Sequence, residues 1–241
     1  MSRDDDLALA QRVSRAVRNN VAWYELMFHA HGVPWTRGPA LWRALASPPR
    51  FYSWGVALVP GDAILDELAA LQEAAPSPRG IKASFDGLDL RPYGLVPLFS
   101  AQWIYRAAAA AEEALTFRHI TGDAELARWE AEWAHGDHDA AHHPRQFPPV
   151  LLADPSLAFV SVLDGDVMTA GCILNTSDDV VGLSNTFVRA GPPTRAWRTF
   201  VAAAAQLYPG RAIVGYERGD DLESARAVGF EAVGPLTVWT G

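Results

Sequence analysis

Helical and extended patterns alternate along this chain, which makes it an α/β (α+β) protein with a mixed sheet flanked by helices. Three strand-like runs, 158–163, 167–175 and 180–188, follow one another with only tight turns between them. Around them lie runs with near-helical apolar spacing, at 7–31, 63–75 and 124–134, and an alanine-rich run at 194–207. With 241 residues, 49% of them hydrophobic, the chain has apolar material for one large domain or two small ones.

The first helix is read from Leu7, Leu9, Val13, Val17, Val21 and Tyr24, with Gly32 as its stop. Gly55 to Val59 is strand-like and ends in the turn pair Pro60-Gly61, after which Asp62 caps the helix carrying Ile64, Leu65, Leu68 and Leu71. Ile81 to Phe85 and Leu95 to Tyr105 read as two more strands around a short helical or turn segment. A helix is expected over 107–115, and the domain boundary is placed beside it, giving regions 1–110 and 111–241. Beyond it come a short strand, 116–120, and a helix capped by Asp123 that carries Leu126, Trp129 and Trp133. Asp164-Gly165-Asp166 is a hairpin signal between the first two strands of the meander, and Thr176 to Asp179 joins the second to the third. Past Gly191-Pro192-Pro193 the helix 194–207 ends at Pro209-Gly210. A strand 212–216, a helix 222–227 and a strand 235–239 follow.

Several classes of function are excluded or disfavoured. The formal net charge is −8 with no basic stripe, so nucleic acid is not an expected partner. No apolar stretch approaches the ~20 residues of a membrane span. The acidic start of the chain lacks an apolar signal core, and the single cysteine, Cys172, cannot form an internal disulfide, so the expected location is the cytoplasm. Cys172 lies in an apolar run and reads as a small buried hydrophobe. The segment His135 to His143 holds imidazoles and carboxylates that could ligate a metal. It has no Cys or Glu at ligand spacing, so it reads as a solvated loop and no metal is expected.

From Thr116 onward the order is strand, helix, loop, three strands, helix, strand, helix, strand. That order, the meander hairpin and the ending Val228-Gly229-Phe230 of the last helix resemble the GCN5-related N-acetyltransferase (GNAT) superfamily. The resemblance implies acetyl-CoA as cosubstrate, bound between the third meander strand and the following helix. Phe187 and Val188 would lie on the strand edge. Thr194 would be the helix N-cap, with Arg195, Ala196 and Arg198 behind it, at a helix start whose free N–H groups suit a pyrophosphate. Thr194 to Thr199 stands where the family carries a glycine-rich Arg/Gln-x-x-Gly-x-Gly/Ala loop, and Ala225 stands where a last-helix tyrosine serves as general acid. In this family the strand 212–216 ends at the acceptor cleft, which makes Glu217 the candidate base and Tyr216 the candidate proton donor. Asn185, on the third strand, is a candidate contact to the acceptor. Asp220 and Asp221 read as N-caps of the last helix.

The N-terminal half carries an echo of the C-terminal half, which suggests a degenerate GNAT-like lobe in a tandem pseudo-repeat. Ile81 to Phe85, Asp89-Leu90, Gly94-Leu95 and Trp103 parallel Ile213 to Tyr216, Asp221-Leu222, Gly229-Phe230 and Trp239. The expected activity is N-acylation of an amine on a small molecule or peptide. A catalytically silent GNAT-fold protein that binds a small molecule, CoA or a protein is the alternative. A small-molecule amine and a second copy of the chain are the partners considered.

Overall fold

The computed structural model describes residues 3–74, 80–85, 87–108, 115–137 and 143–241. Its contacts divide the chain into two compact units. The first comprises Met1–Ile104, Tyr216–Arg218 and Ala232–Gly241, and the second Tyr105–Gly215 and Gly219–Glu231. Most of the helix expected over 107–115 lies outside the described residues, as do His138 and His142 of the candidate metal segment. Among the described residues no group of three or more His, Cys, Asp or Glu could hold a metal. No described helix is long and apolar enough to cross a membrane.

In the first unit, helix α1 (Arg3–Ala30) precedes strands β1 (Trp35–Arg37), β2 (Leu41–Ala44) and β3 (Gly55–Ala57). Helix α2 (Ala63–Ala74), strand β4 (Gly80–Ala83) and strand β5 (Val96–Arg106) follow, and the chain's last strand, β11 (Glu231–Thr240), completes the sheet in the order β1-β2-β3-β4-β11-β5. β3 and β4 are parallel and joined through α2, whereas β11 runs antiparallel to β4 with Trp239 opposite Ile81. The buried stripe of α1 begins at Val13 and continues through Val17, Val21, Tyr24, Met27 and Phe28. Leu7, expected on that stripe, is 56% exposed. Spacing of three and four residues keeps the stripe on one face. It ends in an aromatic cluster where Tyr24 and Phe28 meet Trp42 edge-on at 5.5 and 4.9 Å. β1 and β2 arise in a Pro- and Gly-rich stretch where the sequence pattern marked no strand.

The second unit holds β6 (Arg118–Ile120), α3 (Asp123–Trp133), β7 (Leu157–Asp164), β8 (Val167–Ser177), β9 (Val180–Val188), α4 (Pro193–Leu207), α5 (Gly219–Ala227) and β10 (Ala212–Glu217) as far as Gly215, the last two residues of that strand belonging to the first unit. Its strand order is β10-β9-β8-β7-β6. β7, β8 and β9 form the expected antiparallel meander, with Ala158 opposite Leu174 and Leu174 opposite Leu183. β10 is parallel to β9, and α4 makes the crossover between them.

Three helix starts differ from expectation. Gly122 is the N-cap of α3, and Asp123 is its first residue, where its charge complements the helix dipole. α4 is capped by Pro192 and starts at Pro193, so Thr194 lies inside the first turn and is not the cap. Proline suits that first position because the fixed φ is helical and the missing N–H would be unpaired anyway. α5 starts at Gly219, which moves Asp220 and Asp221 from caps into the first turn.

Helices α3 and α4 cover opposite faces of the meander, because neighbouring residues on β8 meet different helices. A Cβ added to Gly171 would come within 2.4 Å of Trp129 Nε1 and 2.6 Å of Phe187. The preceding Ala170 shares a surface with Ala196 of α4. Trp129 donates from Nε1 to the Val160 carbonyl at 2.9 Å and packs edge-on to Phe147, Phe159 and Phe187. The end of the 135–149 loop is tied down, which its polar sequence did not suggest. Phe147 is fully buried, and Arg145 Nε pairs with Glu130 at 3.1 Å. Cys172, fully buried on β8, is a hydrophobe as expected, and burial pushes its thiol well above the ordinary value.

Two outcomes follow from this packing. Gly171→Ala should lower stability by about 1–3 kcal/mol, the usual effect of overpacking, read as a drop in Tm of several degrees with Trp129 fluorescence altered. Cys172 should be inert to a thiol reagent such as DTNB in the native protein and react fully once the chain is unfolded in guanidinium.

Candidate functional site

β9 is interrupted by a bulge. Gly171 pairs with Phe187 and Ile173 with Ser184, so the single residue Cys172 faces both Asn185 and Thr186. Asn185 takes the positive φ of 51° that absorbs the extra residue, a conformation asparagine tolerates better than most residues. Its Nδ2 donates to Ser184 Oγ at 3.1 Å, which holds the bulge conformation from the side chain. A bulge leaves ladder groups unmatched and increases the local twist.

The same strand loses its other partner at this point. The β9–β10 ladder pairs Val180 with Ala212, Val181 with Ile213 and Gly182 with Val214, and among the described residues no further pair is made. Beyond Gly182 the flank of β9 away from β8 thus runs as a strand edge with no ladder pair to β10 among the described residues. Phe187 is buried and packed edge-on against Trp129, so it can offer a ligand its main chain only. Val188 is half-buried beside Ala170.

Beyond Val188 the chain turns through Arg189 to Pro192. Arg189 donates from Nε to the Glu132 carbonyl at 2.8 Å and from Nη2 to the Trp133 carbonyl at 3.2 Å. It thus caps the C-terminus of α3 and lies over the Phe187 ring at 5.4 Å. Gly191, with φ 83°, completes the turn in a conformation other residues rarely adopt. A cleft of ≈ 170 Å³ opens here. Its walls are Val162 to Asp164, Thr169 and Ala170 of the β7–β8 hairpin on one side, and Ala190 to Pro192 with Arg195 and Ala196 on the other.

Small side chains around this turn leave room for a ligand to approach the backbone. The first turn of α4, however, offers few donors. Pro193 has no N–H, and the Arg195 and Ala196 N–H groups already reach the Pro192 carbonyl at 3.0 and 3.4 Å. Positive charge compensates: Arg195 lines the cleft and has no ion-pair partner among the described residues, and Arg198 is exposed one turn on. Asp164, across the cleft, limits that field. Trp197 stands where a family glycine would be, but it is fully buried against Phe200 and Phe230 and does not obstruct the helix start.

The sequence-derived site residues thus fall into two groups. Asn185, Phe187, Val188, Thr194, Arg195, Ala196 and Arg198 belong to the second unit, on the bulged strand and the α4 start. Tyr216 and Glu217 belong to the first, where Glu217 is half-buried. Tyr216 stacks edge-on with Trp103 at 5.5 Å, and its hydroxyl accepts a bond from the buried Lys82 at 3.3 Å. Lys82 and the bulge were not singled out from sequence. A lone lysine between Ile81 and Ala83, and an asparagine in mid-strand, were the available signals.

No family model and no curated protein matches the sequence. Solved structures do. A GCN5-related N-acetyltransferase from Kribbella flavida superposes with a TM-score of 0.57 at 16% identity, covering 93% of this chain and 95% of its own. A GNAT-family protein from Novosphingobium aromaticivorans gives 0.56 at 15% identity, covering 95% and 96%. A GCN5-related N-acetyltransferase-like protein from Streptococcus suis gives 0.52 at 12%, covering 96% and 99%. With its meander, parallel crossover and near full-length superposition on these proteins, the chain has the GNAT fold.

Proposed function

We propose that this chain is a CoA-dependent N-acyltransferase that moves an acetyl group from acetyl-CoA to an amine of a small molecule or peptide. The observation that carries this reading is the bulged edge of β9, released from β10 after Gly182 and leading directly into the arginine-bearing start of α4. Main-chain groups of Leu183 to Val188 suit the amides of a pantetheine arm and the carbonyl of a thioester. Arg195 and Arg198 would hold the pyrophosphate by charge-assisted bonds, with the Thr194 N–H adding to them. The small residues Ala190, Gly191 and Ala196 allow that approach.

A thioester supplies an acyl group already activated for attack, so the chain need only position the amine and manage two protons. Glu217 takes the proton the amine sheds as its nitrogen bonds to the acyl carbon. Tyr216 gives a proton to the sulfur as the carbon–sulfur bond breaks, leaving an amide and a free thiol. Solvent then reprotonates Tyr216 and accepts the proton from Glu217.

Specific features favour a second reading, a GNAT-fold protein that binds without catalysing. Pro193 removes a donor from the α4 start, and the fully buried Ala225 leaves α5 without a hydroxyl at the family's general-acid position.

Calorimetric titration with acetyl-CoA, followed by turnover across an amine panel, separates the two. Binding with turnover supports the enzyme, and binding without turnover the silent protein. Arg195→Glu with Arg198→Glu should weaken acetyl-CoA binding at least about a hundredfold, since each charge-assisted bond is worth about 1.5–3 kcal/mol. Unchanged affinity would put the phosphates elsewhere. Glu217→Gln should bind acetyl-CoA as the wild type does and lose about 10²–10⁴ in kcat. Full activity in that variant would remove Glu217 from the base role.

A further inference from the structure

Lys82 is 3% exposed, on a strand whose other residues, Gly80, Ile81 and Ala83, are apolar and buried. Among the described residues no carboxylate pairs with it. Burying an ammonium without a counter-ion is strongly unfavourable, so its surroundings must compensate. Its Nζ donates to Asn20 Oδ1 of α1 at 3.1 Å and to Tyr216 Oη at 3.3 Å. The same nitrogen lies 4.8 Å from the Tyr24 ring centre and 4.4 Å from that of Tyr216. Aromatic faces attract a desolvated cation, so this is an ammonium held by two rings, an amide oxygen and a hydroxyl. Burial works against the charged form, yet the phenol groups of Tyr216 and Tyr24 outweigh it and leave Lys82 above its ordinary value. Neighbouring Tyr52 is pushed well above its own, by burial first and by Tyr24 and Tyr216 second.

A lysine ammonium can only donate. The Tyr216 oxygen is therefore the acceptor in this pair, and its own hydrogen must point away from Nζ. Trp103 fixes the ring edge-on from the side, which leaves the hydroxyl with one oriented proton to give. A positive charge stands 3.3 Å behind the oxygen that would become negative when that proton leaves.

We propose that Lys82 is a positioning residue for acyl transfer: its buried ammonium fixes the Tyr216 hydroxyl as a proton donor and steadies the phenolate formed when the proton passes to the leaving sulfur. The inference rests on the acyltransferase reading above. Asn20 and Tyr24 anchor the ammonium from α1, so the N-terminal helix takes part in setting the acid. No proton moves to or from Lys82, which stays charged throughout.

Two acyl donors test it on the full-length chain. Acetyl-CoA leaves as a basic thiolate that needs a proton, whereas 4-nitrophenyl thioacetate leaves as a stable thiolate that does not. Lys82→Met and Tyr216→Phe should each lower kcat with acetyl-CoA by about 10²-fold with KM unchanged, the usual loss for a general acid. The double variant should be no slower than either single one, and all three should use the nitrophenyl donor at close to the wild-type rate. Equal losses with both donors would reduce Lys82 to a structural role and overturn the proposal. Should Lys82→Met melt below the assay temperature, Lys82→Gln carries the same expectation.

A second readout needs no turnover. With tyrosine labelled at 13Cζ, the Tyr216 resonance, identified by its loss in Tyr216→Phe, should move in the Lys82 variant. An unmoved resonance overturns the bond and the proposal together. A moved resonance in a wild type that acylates no amine supports the bond and overturns the acyltransferase reading instead.

Discussion

The mismatch between β8 and β9 at Cys172 is the constraint on which the second unit's candidate site depends. One residue on β8 must face two on β9, and the surplus is absorbed by the left-handed backbone of Asn185. Every candidate site residue of that unit lies at this step or downstream of it. Beyond Gly182 β9 makes no further pair with β10 among the described residues, the chain is aimed at the Arg189–Pro192 turn, and α4 begins where that turn points. The bulge is held from one face by Trp129, which leaves no room for a side chain at Gly171. A wedge of aromatic rings on one face therefore supports an opening along the edge of the sheet, and rigid packing becomes a pre-organised surface.

Charge is distributed in the same economical way. Arg189 is committed to the α3 carbonyls and serves the scaffold, whereas Arg195 faces the cleft without an ion-pair partner among the described residues. The start of α4 carries no glycine from Thr194 to Thr199, and Pro193 has no N–H to offer. An anion bound at such a helix start would be held more by guanidinium groups than by backbone amides. Its binding would then be more sensitive to ionic strength, because exposed charges are screened more readily than buried N–H groups.

Much of this was legible from residues alone. The meander, the α4 crossover and the last strand followed from period-two and period-3.6 patterns bounded by Asp164-Gly165 and Pro209-Gly210. Cap positions were less legible. Pro192-Pro193 reads as a turn before a helix, yet the second proline is the first helical residue, so Thr194 was assigned to the cap it does not occupy. The bulge was hidden because a strand pattern records which face a residue takes and not what stands opposite it. Lys82 was hidden for a related reason. A single polar residue in an apolar strand looks like the solvated side of an edge, and only the pairing of β4 with β11 and the packing of α1 place it inside. β1 and β2 were missed because Pro34, Gly38 and Pro39 punctuate them so heavily.

The pairing of β4 with β11 also bears on how the protein comes into being. Gly80 lies opposite Thr240, so β4 is paired by a strand that follows the second unit in sequence. During synthesis, α1, β3 and α2 would emerge with one edge of β4 uncovered, and the whole second unit would be translated before the covering strand arrives. Contacts so distant in sequence form late because the intervening chain must first be ordered. Until β11 is made, that edge of β4 would lack the strand that pairs with it. The second unit, whose β6 to β10 are contiguous apart from their helices, has no such wait.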